Sequence, residues 1–306
     1  PPPPPPPPPP FLQEDDVILD LDSSLVGSEM CIRDREIRDC LHEEISQALG
    51  PVNDLYRLTD SIFNDDNFHS VLTGFDMLIL KAYYDPALRN GMREPEVAAR
   101  LPGILARLNP KGAGTYAVGT SQASRIWQTE ISTAMSPRVS KSRRRAAAQQ
   151  ASLKAKAFGP SDARLALSHY LYGRLMLETA PDTALAAFLQ ASNIYEKRPD
   201  TAIQNAHVAM QIAAFQLSAG RPDIALRTVD RNLKAVRNAE HAALLSLLLM
   251  VKAEALQIKG DTRAADKVQT EALGWARYGF GSDKEVRARA AEILAISPRT
   301  RTGAPA

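Results

Sequence analysis

The stretch Cys40-Leu41-His42-Glu43-Glu44-Ile45-Ser46-Gln47-Ala48-Leu49-Gly50 places an imidazole, two carboxylates and an amide within six residues, His42 to Gln47. Apolar Ile37, Leu41, Ile45, Ala48 and Leu49 recur at helical spacing, which predicts a helix over 36–49 stopped by Gly50-Pro51. Positions 43 and 47 of such a helix lie one turn apart on one face. Side chains so placed can meet one metal ion, and a neighbouring carboxylate can activate a bound water. Other nucleophile chemistry is poorly served: Ser, His and Asp occur without a nucleophile-elbow motif. Gly112-Ala113-Gly114 lacks the Lys and the strand–helix setting of a phosphate-binding loop.

The stretch resembles the zinc-protease motif His-Glu-x-x-His and its metzincin extension x-x-Gly-x-x-His. Two registers are open. In one, His42-Glu43 aligns with the motif, but Leu49 falls where the glycine belongs. In the preferred one, Glu43-Glu44-x-x-Gln47-x-x-Gly50 keeps the glycine. The resemblance then implies that Glu44 matches the catalytic glutamate. Glu43 and Gln47 stand where the two histidines would be, with Asn53 or Asp54 near the third ligand. Metzincins also carry a Ser-x-Met turn beneath the metal; Ser61-Ile62-Phe63 is similar, with Phe for Met. Leu72-Thr73-Gly74-Phe75-Asp76, leading to Ala82-Tyr83-Tyr84, is similar to the helix that closes that region.

The same block resembles a bacterial family of unknown function, whose members are often described as exported proteins or lipoproteins. Glu43–Gly50, Asn53-Asp54, Ser61–Asp65 and Tyr84–Met92 carry that resemblance. It implies a periplasmic or envelope-associated location and a fold, with little chemistry.

The departures argue against ordinary zinc hydrolysis, because a neutral Gln oxygen is a poor zinc ligand and no imidazole pair remains. Oxygen atoms of Glu43, Gln47 and Asp54 would suit a harder cation such as calcium. The alternative is a hydrogen-bonded network in place of the metal, or a plain helix surface, and no cofactor is then expected. His69, beside Phe68, is expected to pack rather than ligate; His42 adjoins the site in the preferred register.

The elements that must position these groups are helical. Further helices are predicted over 72–84 and from Glu94-Pro95 to about Leu108, before the linker 109–114. Two more flank Ser136-Pro137. The second carries Arg138, Lys141, Arg143, Arg144, Arg145, Lys154 and Lys156, a basic face that would meet nucleic acid or an anionic membrane surface if it is not merely solvated.

From Ser161 to Pro298 the chain repeats. Leu217-Ser-Ala-Gly220-Arg-Pro222-Asp223-Ile-Ala225-Leu226 is similar to Leu177-Glu-Thr-Ala-Pro181-Asp182-Thr-Ala184-Leu185. Ala213, Gly220 and Ala225 are spaced as Ala253, Gly260 and Ala265, and Gly173 and Ala184 take the small positions of the first unit. Small residues let paired helices approach, Gly ends the first helix, and Pro at the start of the second loses no hydrogen bond. One hairpin cannot cover its own apolar face, so neighbours must stack. The pattern resembles the tetratricopeptide repeat.

Composition agrees. With 44% hydrophobic, 24% charged and only 6% aromatic residues, Ala-rich helices fit better than a β-sandwich. A net charge of +2 requires no acidic partner. Residues 1–35 are set aside: ten prolines cannot enter helix or sheet, and Ser28–Arg35 resembles a translated sequencing adapter. The alternative is a genuine Pro-rich arm. On the first reading the natural N-terminus is missing and Cys31 is foreign. Only Cys40 then remains, and no intrachain disulfide is expected.

The expected fold is mainly α: a degenerate zincin-like α+β remnant over 36–109, a linker and basic connector over 110–160, helical hairpin repeats over 161–298 and a tail over 299–306. The expected function is protein–protein interaction by a protein with a catalytically degenerate metalloprotease-like domain. The alternatives are a divergent metal-dependent hydrolase with Glu44 as general base, and an intracellular regulator binding nucleic acid through Arg143–Arg145.

Overall fold

A computed structural model describes residues 37–51, 58–64, 68–112 and 122–298. Asn53, Asp54, Asp65, residues 1–35 and the tail 299–306 therefore lie outside the described residues. The described chain is helical, and no strand occurs among these residues, so the α+β character expected of the N-terminal region has no counterpart in them.

Among the described residues twelve α-helices follow in order: α1 (Ile37–Ala48), α2 (Gly74–Tyr83), α3 (Glu94–Leu108), α4 (Gln122–Met135), α5 (Lys141–Ala155), α6 (Ala163–Met176), α7 (Pro181–Tyr195), α8 (Ala202–Ser218), α9 (Pro222–Asn238), α10 (Ala242–Ile258), α11 (Thr262–Phe280) and α12 (Asp283–Ala295). From α4 onward each helix packs on the next, and α4 on α6, α8 on α10 and α10 on α12 also touch. This is a run of stacked hairpins. The segment read as a basic connector is itself a hairpin, α4–α5, packed onto α6.

The sequence punctuation is visible in the backbone. Pro181 and Pro222 open α7 and α9 at the first helical position. Gly220 and Gly260 adopt φ +67° and +82°, the left-handed conformation that ends α8 and α10. Ala225 and Ala265 are fully buried, as is Ala184. A Cβ added to Gly173 would stand 2.7 Å from the Phe188 ring and 3.1 Å from the Ala184 carbonyl, so α6 and α7 approach as closely as glycine permits.

Helices α6, α8 and α10 are the inner ones of the stack. Residues Ala242 to Val251 of α10 are buried without a break, because α8, α9, α11 and α12 surround that helix. An all-round apolar helix needs such cover. Helices α9 and α11 bury only one stripe each, through Ala225, Val229, Asn232 and Val236 and through Ala265, Ala272, Ala276 and Phe280.

Candidate functional site

The N-terminal motifs are organised around one carboxylate. Helix α2 starts at Gly74, two residues later than its apolar spacing predicts, because Thr73 caps it with extended backbone. Thr73 Oγ1 accepts the Asp76 N–H at 3.3 Å, and Asp76 Oδ2 accepts the Thr73 N–H at 2.7 Å, a reciprocal capping box. Asp76 is fully buried and reaches further. Its Oδ1 accepts the Ser61 hydroxyl at 2.5 Å, and its Oδ2 also accepts the Ile62 N–H at 3.0 Å. Ser61 Oγ in turn accepts the Phe63 N–H at 3.0 Å, while the Asn64 amide donates to the Leu58 carbonyl at 2.9 Å. Ser61, Ile62, Phe63 and Asn64 are all buried. One carboxylate thus joins the Ser-x-Phe turn to the Leu-Thr-x-x-Asp helix, which are the two motifs singled out in sequence. Burial of a carboxylate is tolerable because its oxygens are met by donors from three residues.

Helix α1 bears Glu43, Glu44 and Gln47. Glu44 is exposed, and Glu43 and Gln47 are half-buried. Among the described residues no group of three or more His, Cys, Asp or Glu is placed to hold a metal ion. His42 Nδ1 lies 2.8 Å from the Ser70 carbonyl, tying α1 to the loop before α2. The Tyr84 hydroxyl donates to the Leu49 carbonyl at 2.7 Å, tying the end of α1 to the end of α2. After α2, Asp85 binds the turn that follows. The Ala87 N–H donates to Asp85 Oδ1 at 3.0 Å and the Arg107 guanidinium pairs with Oδ2. The Ala87 N–H first, then Arg107, hold that carboxyl below the ordinary range.

Residues 58–64 and 68–70 are seated on the helical stack, a contact that no sequence spacing announced. The Thr59 hydroxyl donates to Asp200 Oδ2 at 2.6 Å, and the Gln204 amide donates to the Thr59 carbonyl at 2.6 Å. Arg198 donates to the same Asp200 Oδ2 at 2.6 Å. Phe68, fully buried, packs its ring 5.5 Å from Tyr170 of α6 and 4.9 Å from His207 of α8. Tyr170 continues to Phe188 at 5.9 Å and Phe188 to Phe215 at 6.3 Å, so the aromatic contacts run from the loop into the repeats. His69 packs as its surroundings suggested. Its side chain is 8% exposed, with Nε2 at 3.2 Å from the Thr59 carbonyl and 3.9 Å from Asp60.

The basic face of α5 is partly engaged in packing. Arg144 Nε donates to the Ala134 carbonyl at the end of α4 at 2.8 Å, Lys154 pairs with Glu130 at 2.8 Å, and Lys141 with Glu178 at 3.0 Å. Burial, with the nearby Arg174 charge, pulls the Arg144 guanidinium below its ordinary value. Arg143 is exposed and Arg145 half-buried.

The class defined by this architecture is a stack of helical hairpins carrying a motif-bearing N-terminal segment that docks on it. Residues 29–103 match the model of a family described as Protein of unknown function (DUF2927), a span well under half of the chain. The match takes in α1, the Ser61–Asp76 network, α2 and most of α3, and it begins within the segment that the sequence reading set aside. No curated protein and no solved structure gives a significant match to this chain. No helix among the described residues is long and apolar enough to cross a membrane.

Proposed function

We propose that this chain is a protein–protein interaction protein, in which a catalytically degenerate, metzincin-like region is fixed to a tetratricopeptide-like stack whose outer helices receive a partner. The observation that carries this reading is a succession of exposed apolar side chains, one helix after another. Leu153 on α5 and Leu189 on α7 are each 52% exposed, and Ile224 on α9, then Trp275 and Tyr278 on α11, follow. Between α5 and α7, above α6, runs a groove of about 190 Å³ edged by Leu153, Tyr172, His169 and Gln190. Stacked hairpins provide extended surfaces of this kind. The buried Ser61–Asp76 link supports the degenerate-protease reading, because it holds the turn and the helix together through side chains where a metal would otherwise organise them.

The test is photo-crosslinking in the cells that make the protein. A crosslinking residue is placed at Leu153, at Leu189 and, as a control, at Glu44 of α1. One discrete partner captured from both stack positions, lost in Leu153→Glu/Leu189→Glu and absent from the control, is the expected result. Capture from Glu44 alone would move the interface to α1, and no specific adduct from any position would end the interaction reading.

The competing reading is a divergent metal-dependent hydrolase using Glu44, with Glu43, Gln47 and Asp54 holding zinc or calcium. Elemental analysis separates the two. The interaction reading expects no stoichiometric zinc or calcium. About one ion per chain, abolished by Glu43→Ala, would favour the enzyme. Contact of nucleic acid with Arg143 and Arg145 would appear as salt-dependent binding lost in Arg143→Glu/Arg145→Glu.

A further inference from the structure

The outward sides of α9 and α11 carry cations that the packing of the stack does not use. On α9, Ile224, Arg227, Arg231 and Lys234 are exposed and recur at i, i+3, i+7 and i+10. That side is opposite the buried stripe of Ala225, Val229, Asn232 and Val236. On α11, Arg263, Lys267 and Tyr278 are exposed at i, i+4 and i+15, opposite the buried Ala265, Ala272 and Ala276. Between Lys267 and Tyr278 on the same side, a Cβ added to Gly274 would have nothing within 4 Å, so this face is open. The exposed Trp275 ring meets the Tyr278 ring edge to face, with centroids 6.3 Å apart. Arg237 and Glu271, 2.6 Å apart, join the two helices.

The acids of these helices do not cancel the charge, because they are spent on other cations. Asp230 pairs with Lys252 of α10 at 2.6 Å, and Glu271 with Arg237. Asp223 pairs with Lys259, the C-cap of α10, at 2.5 Å; that bond first, and Arg227 after it, hold its carboxyl below the ordinary range. Asp266 accepts the Gln257 amide of α10 at 3.5 Å. Among the described residues no acid pairs with Arg231, Lys234, Arg263 or Lys267.

We propose that the α9–α11 face docks on an anionic lipid surface, with Arg231, Lys234, Arg263 and Lys267 meeting the headgroups while Trp275 and Tyr278 enter the boundary between headgroups and acyl chains. Charge complementarity selects an anionic partner, and the neighbours of the cations select lipid. A nucleic-acid strand is tracked by cations lining a groove, with rings stacked on its bases. Here the cations stand on the outward ridges of two helices, and the aliphatic Ile224 stands among them. A phosphate backbone would leave that side chain bare, whereas a lipid surface covers it. Trp and Tyr beside Lys and Arg suit the same boundary, where one end of the ring is apolar and the other wet. The proposal goes beyond the protein-partner reading, which is tested at Leu153 and Leu189 on α5 and α7, so each can fail without the other.

The test is sedimentation of the full-length protein with vesicles of phosphatidylcholine, alone or with about 30% phosphatidylserine, at about 0.1 M and 0.5 M salt. Tryptophan emission is read in parallel. The chain has two tryptophans and Trp127 is fully buried, so a blue shift on binding reports Trp275. The expected result is binding to the phosphatidylserine vesicles alone, with the blue shift, weakened at the higher salt. Each basic residue at an anionic surface is worth about fivefold in partitioning, so Arg231→Ala/Lys234→Ala/Lys267→Ala should lower it on the order of a hundredfold. All three side chains are exposed, and circular dichroism checks that the variant folds. The control Lys81→Ala/Arg89→Ala/Lys111→Ala removes the same charge from exposed positions outside the stack and should bind as wild type does. No binding that depends on phosphatidylserine, equal loss in both triple variants, or binding without the emission shift would each overturn the proposal. So would a DNA duplex of about 20 base pairs binding more tightly than the vesicles through the same residues, which would assign the face to nucleic acid.

Discussion

Thr59 and Asp200 stand 141 positions apart in the chain, yet the hydroxyl of one donates to the carboxylate of the other at 2.6 Å. The bond pins the family-matching segment to the corner between α7 and α8, where Gln204 grips the Thr59 carbonyl as well. A double-mutant cycle of Thr59→Val with Asp200→Ala should give a coupling of about 0.5–1.5 kcal/mol in denaturant unfolding. Strict additivity would show that the two make no bond in solution.

Asp76 should be the costliest single polar residue of the N-terminal region. Asp76→Ala leaves two backbone N–H groups and the Ser61 hydroxyl without their acceptor inside a buried turn, a loss of about 2–4 kcal/mol. Asp76→Asn retains one acceptor oxygen and should cost less. Thermal and urea unfolding rank the two, and equal stabilities for wild type and Asp76→Ala would dismiss the network as ornamental.

Ala225 of α9, a helix packed on both α8 and α10, is fully buried, whereas Ala288 on α12 is exposed. Ala225→Leu should destabilise the full chain by roughly 1–3 kcal/mol, because the neighbouring helix must move or the new side chain must leave its rotamer. Ala288→Leu should shift it by less than about 0.5 kcal/mol. Equal tolerance at both positions would make the spacing of Ala225 and Ala265 from their turn glycines a coincidence.

Two helical glycines should respond with opposite signs. Gly274 in α11 has nothing within 4 Å of an added Cβ, so Gly274→Ala should stabilise by about 0.5–1 kcal/mol through helix propensity alone. At Gly173 the same methyl would meet the buried Phe188 ring at 2.7 Å. Gly173→Ala should therefore destabilise in spite of the same propensity gain. Melting temperatures of the two variants moving in one direction would contradict the close approach of α6 and α7.

What the sequence disclosed and what it hid divide by range. The starts of α7 and α9 were legible because Pro181 and Pro222 act within their own turns, and the ends of α8 and α10 because Gly220 and Gly260 do. Asp76 was legible as a motif residue. Its bond to Ser61 was not, since that needs the loop between them to fold back. Seating of Phe68 against Tyr170 and His207 left no periodic trace, because single contacts between distant segments impose no spacing.

The continuous burial of Ala242 to Val251 also bears on how the protein is made. While a ribosome is still adding α11 and α12, α10 has only α8 and α9 to lie against, and the faces destined for the later helices remain bare. At about 5–20 residues per second, the stretch from Ile258 to Ala295 takes roughly 2–7 s to synthesise. For that interval only the faces of Ala-Ala-Leu-Leu-Ser-Leu-Leu-Leu-Met-Val destined for α11 and α12 stay uncovered. A message truncated within α11 would release a product with that surface permanently open, a substrate for chaperones and proteases rather than a shorter working protein.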